Sequence, residues 1–173
     1  MSTGTLPKQV DIRKSASLAA RFEGEVPVSE LARVRAAVAA DEGRVRYALR
    51  FGRDEAGRAT VAGTIGGSVR LICQRCLQPM AYALQSEFLL GVVASDDLAR
   101  QLPDHLEPLV VVDVVDLAEI IEDEVLLCLP IVGYHAAQEC GVSVGYEATD
   151  PSTKNAEAAR PNPFEALAAL KNK

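Results

Sequence analysis

From Arg44 onward the chain alternates. Val45, Tyr47, Leu49 and Phe51 fall on one side, and Arg44, Arg46 and Arg50 on the other. That period of two belongs to a half-buried strand. Residues 54–57 read as a turn and residues 59–65 as a second strand. Gly66 and Gly67 predict a break or bulge, after which residues 68–72 resume the strand. Residues 80–93 place Tyr82, Leu84, Phe88 and Leu90 at strand spacing. Residues 18–24 give a short leading strand, and the set predicts an antiparallel meander.

Elsewhere the period is helical. Leu31, Val34 and Val38 predict a helix from Pro27 to about Ala39, with Ser29 as its cap. Residues 96–101 suggest one helical turn, and residues 109–112 a short apolar strand. Asp116 is placed to cap the strongest helix, over residues 117–129. Leu117, Ile120, Ile121, Val125 and Cys128 form its apolar stripe, while Glu119, Glu122 and Asp123 lie elsewhere, and the Glu122-Asp-Glu124 cluster reads as a solvated helix face in preference to a cation site. Pro130 stops it.

Residues 148–160 are polar, alanine-rich and aperiodic, which predicts a flexible linker. The chain then closes on Pro161-Asn-Pro-Phe-Glu-Ala-Leu-Ala-Ala-Leu-Lys171, where Asn162, Pro163 and Glu165 give a helix start. Phe164, Leu167 and Leu170 form a narrow apolar stripe suited to a partner. The expected fold class is α+β. A meander or barrel-like sheet with a few packed helices occupies residues 1–147, and a helical tail occupies residues 161–173.

Composition narrows the function classes. Apolar residues make up 49% of the 173, enough for a real core. No apolar run approaches the ~20 residues that span a bilayer, and the opening ten residues lack the apolar centre of a secretory signal. The expectation is a cytoplasmic protein with no membrane role. Net charge is -6, but residues 1–80 carry +5 and residues 81–173 carry -11. If folding keeps these as two faces, one can approach phosphate and the other a basic protein.

Four cysteines in a cytoplasmic chain argue against a disulfide framework. Cys73-Gln-Arg-Cys76 is a CxxC step, and His135-Ala-Ala-Gln-Glu-Cys140 is a second pair of soft ligands. Three thiolates and one imidazole make a closed tetrahedral set suited to structural zinc. Reduced thiols without metal are an equally open reading. A redox pair is the weakest reading, because such motifs open a helix and here a strand follows. Cys128 lies on the apolar stripe and reads as a core thiol.

Catalytic patterns are absent. Gly63-Thr-Ile-Gly66-Gly67 lacks the Lys-Ser/Thr of a phosphate loop, and no G-x-S-x-G elbow occurs. Only His105 and His135 could serve as imidazole bases, and His105 sits in a plain proline-flanked loop. The expectation is a protein that is not an enzyme and takes no small-molecule substrate.

Taken in order, Cys73-Gln-Arg-Cys-Leu77 at a strand end, the acidic helix closing on Leu129-Pro130, the His135–Cys140 step and the closing Pro-Asn-Pro-Phe segment resemble the YceD family. These are the large-subunit ribosomal RNA accumulation proteins of bacteria and plastids. The resemblance spans essentially the whole chain. It implies a role in synthesis, processing or stability of 23S ribosomal RNA, and no catalytic residues. Many relatives carry a second cysteine pair where this chain has His135 and Cys140, which implies a metal site in the family. Genes of the family tend to lie beside one for a large-subunit ribosomal protein.

The implied partner is 23S ribosomal RNA or a pre-50S particle. Arg44, Arg46, Arg50 and Arg75 are the candidate phosphate contacts, with Arg33 and Arg35 as further candidates, because guanidinium binds phosphate bidentately. The alternative is a module for a ribosomal protein or assembly factor, acting on RNA indirectly. In that reading the acidic helix and the Phe164, Leu167 and Leu170 stripe are the handles.

Overall fold

The alternating run becomes strand β2 (Arg44–Arg53) in a computed structural model that describes residues 6–142. Val45, Tyr47, Leu49 and Phe51 are buried, while Arg44, Arg46 and Arg50 are exposed. Strands β1 (Arg21–Pro27), β3 (Ala59–Ile72) and β4 (Pro79–Val93) complete an antiparallel meander around it. The short strand β5 (Glu107–Val110) then joins β4 in parallel. The order β1-β2-β3-β4-β5 leaves the sheet open, with β1 and β5 at its edges. It does not close as a barrel, because β5 returns beside β4 and not beside β1.

Gly66 and Gly67 do not break the strand. β3 keeps one unbroken register with β4 from Thr60↔Gly91 to Ile72↔Pro79. Gly67 has φ +149°, and a Cβ there would lie 2.5 Å from the Arg44 carbonyl oxygen. Glycine is therefore required at this point, where β2 begins against β3.

One face of the sheet carries the core. Helix α1 (Ile12–Ser17) packs on β2 and β3, and α4 (Leu117–Cys128) packs on β4 and β3. Leu117, Ile120, Ile121 and Val125 of α4 are buried with Val45, Leu49, Val61, Val69, Leu84 and Leu90 of the strands. Asp116 caps α4, accepting the Ala118 N–H at 2.8 Å. Cys128 is half-buried against this core, as the apolar stripe predicted.

The expected helix from Pro27 is shorter and starts later. Pro27 ends β1 opposite Arg44, Val28–Glu30 forms a 3-10 turn, and α2 covers Ala32–Ala37. Ser29 caps nothing. A distant carboxylate does the work: Glu122 on α4 accepts the Arg33 backbone N–H at 2.7 Å. Glu122 and Glu124 are accordingly buried, not part of a solvated acidic face. A short helix α3 (Asp96–Ala99) follows β4, capped by Ser95. Among the described residues no helix is long and apolar enough to cross a membrane. The linker over 148–160 and the tail stripe of Phe164, Leu167 and Leu170 lie outside the described residues.

Candidate metal centre and charged surfaces

The hairpin between β3 and β4 turns on the CxxC. Leu77 adopts φ +58°, and its N–H returns to the Cys73 carbonyl at 2.9 Å. The turn holds both sulfurs at the hairpin tip. The segment after α4 is fastened beside it by the Gln74 N–H on the Gly133 carbonyl, 2.9 Å. A one-turn loop, with the Cys140 N–H on the Ala136 carbonyl at 3.1 Å, folds Cys140 back toward His135. The ligand atoms of Cys73, Cys76, His135 and Cys140 all lie within 4.8 Å of one another. Cys76 Sγ is 3.3 Å from His135 Nδ1, and Cys73 Sγ accepts the His135 N–H at 3.4 Å.

The electrostatics suit a bound cation. Burial opposes ionisation of Cys73, but N–H groups of Cys76, His135 and Arg75 aimed at its sulfur outweigh that and hold the thiol at about 5. For Cys76, a hydrogen bond from the Gln78 backbone favours the thiolate, yet burial and the adjoining Cys73 and Cys140 sulfurs push its thiol up. Several thiolates in one pocket repel unless a cation neutralises them. Three thiols and an imidazole in this arrangement can hold a metal ion.

The other face of the sheet is open and carries the arginines. Arg44, Arg46 and Arg50 of β2 share it with Arg21 of β1 and Arg70 of β3. Register sets Arg21 directly opposite Arg50. Glu25 stands opposite Arg46, but its carboxylate is taken by Arg44 Nε at 3.0 Å. Among the described residues, Arg21, Arg46 and Arg50 form no ion pair. Ala48, Thr64 and Gly66 floor a depression beside Arg46, with Gln85 and Glu87 on its far side.

Not every candidate arginine joins this face. Arg75 sits on the knuckle with its guanidinium 5.3 Å from the ring centre of Tyr134. Arg33 is engaged by Glu122 through its backbone and by Asp123 through its side chain. Arg21 was not among the candidates. Its alternation with Glu23 and Glu25 was visible in the sequence, but its position opposite Arg50 depends on register.

The sequence model of the large ribosomal RNA subunit accumulation protein YceD matches residues 61–171. A Haemophilus influenzae protein of that description is 32% identical over 170 residues, covering 97% of both chains. No solved structure matches the chain. The chain belongs to the YceD family of large ribosomal RNA subunit accumulation proteins.

Proposed function

We propose that this chain supports accumulation of 23S ribosomal RNA as a non-catalytic factor, and that the open sheet face contacts the RNA or the pre-50S particle directly. The family's description supplies the general role. The observation that carries direct contact is Arg21 standing opposite Arg50, with no carboxylate among the described residues paired to either. Like charges directly across a sheet cost stability, and an anion placed between them removes that cost. Arg46 extends the row. Arg44 is partly neutralised by Glu25, and Arg75 would add a contact from the knuckle.

The metal in this reading is a structural zinc ion held by Cys73, Cys76, His135 and Cys140. Zinc–sulfur bonds of about 2.3 Å and zinc–nitrogen bonds of about 2.0 Å place tetrahedral ligands roughly 3.5–3.8 Å apart. The cluster reaches that spacing with small side-chain adjustments. All four positions are filled by protein, so the ion fastens the hairpin tip to the segment after α4 and has no open site for catalysis.

The test is filter binding of the full chain to large-subunit RNA across a salt series. Affinity should fall steeply with salt. Replacing Arg21, Arg46 and Arg50 together with Ala should weaken binding at least tenfold and flatten the salt slope by about two to three. Unchanged binding by that variant would remove the sheet face from the proposal.

A further inference from the structure

On the helical side of the domain, the segment that follows β4 has the opposite charge to the arginine face, whereas α1 and α2 carry Arg13, Lys14, Arg33 and Arg35. From Asp96 to Glu124 the chain carries ten acidic residues and a single basic one, Arg100. Within this side, β5 and α4 leave a groove of about 370 Å³. Its floor is Leu90 and Ile120, and its walls are Pro108, Leu109, Leu126 and Leu127. Leu127 is 74% exposed at the lip. One exposed leucine is ordinary, but one that continues an apolar trough is unusual in a small domain. The rim is acidic. Glu107 adjoins Pro108 on β5, and Glu119 lies one helical turn before Asp123 on the same face of α4. Among the described lining residues Arg33, paired with Asp123, is the one base.

We infer that this groove is a docking site for a basic polypeptide segment, with one aliphatic or aromatic side chain seated between Leu109 and Leu126 and flanking Lys or Arg side chains reaching Glu107 and Glu119. The apolar trough supplies the anchor pocket and the acidic rim selects the sign of the partner. The same rim repels phosphate, which excludes RNA and anionic lipid as occupants. The site is independent of the RNA contact on the opposite side, so either can fail without the other. Together they would let one small domain hold RNA on one face and a basic protein on the other.

A benzophenone amino acid at position 127 of the full chain, in growing cells, tests this. A second chain with the probe at exposed Leu18 is the control. The expected product is a protein cross-linked from position 127 and not from position 18, through a peptide of net positive charge. With that protein purified, Glu119→Lys and Glu107→Lys should each weaken binding at least tenfold, and added salt should weaken the wild-type complex. Both glutamates are exposed, and an unchanged melting curve verifies that the variants fold. No cross-link, a cross-link to RNA or to a second copy, a neutral or acidic captured peptide, or affinity that survives both charge reversals would each overturn the inference.

Discussion

The Glu122 carboxylate accepts the backbone N–H of Arg33 at 2.7 Å, across 89 residues of chain. Helix α4 thereby caps α2, whose own N-cap residue Leu31 has no side chain able to do so. Glu122→Ala should destabilise the domain by about 1–3 kcal/mol, since it strips a charged acceptor from a partly buried helix end. Glu122→Gln, which keeps an acceptor, should lose less. Urea unfolding of the two variants checks the order.

Gly63 is paired with Phe88 across β3 and β4, and the ring lies over the glycine. A Cβ at Gly63 would clash with Cζ, Cε1 and Cε2 of that ring. Gly63→Ala should therefore cost about 1–3 kcal/mol by overpacking. Adding Phe88→Leu should recover part of it. Additive losses in the double-mutant cycle would show that the ring does not cover this position.

Burial pushes the Glu124 carboxyl up to about 7, reinforced by the Glu107 and Asp123 charges and opposed by a hydrogen bond with Ser86. The folded protein thus holds this proton more tightly than the unfolded chain. The stability it contributes is full below pH ~4 and is lost as pH rises through 7. Glu124→Gln should remove that loss, gaining on the order of 1 kcal/mol over wild type at pH 8.5 and little at pH 5. Denaturant midpoints at the two pH values measure the difference.

Purified chain should carry close to one zinc ion by elemental mass spectrometry. A chelator should lower the melting temperature, and Cys73→Ser should abolish binding. Cys128→Ser should keep the metal, because Cys128 lies outside the cluster.

Much of this architecture is legible in the sequence. The alternation in β2 divided its buried from its exposed residues, and the Asp116 cap with its apolar stripe located α4. The CxxC and the His135–Cys140 step did converge. Other features hid because they depend on distant partners. Helix α1 is six residues long and too short to show a period. The start of α2 is set by Glu122, and the acids of α4 are buried through tertiary packing. The Arg21–Arg50 juxtaposition exists only once β1 takes its register.

The neighbour-to-neighbour strand order has a bearing on synthesis. Each hairpin of the meander can pair as soon as its two strands leave the ribosome, without waiting for distant sequence. Helix α1 can cover part of the apolar side early, but the rest stays wet until α4 emerges, and Cys76 waits 59 residues for His135. Among the described residues, closure of the clasp is thus the last event of vectorial folding. Pulse-labelled amide exchange should find the β2–β3–β4 hairpins protected ahead of residues 130–142.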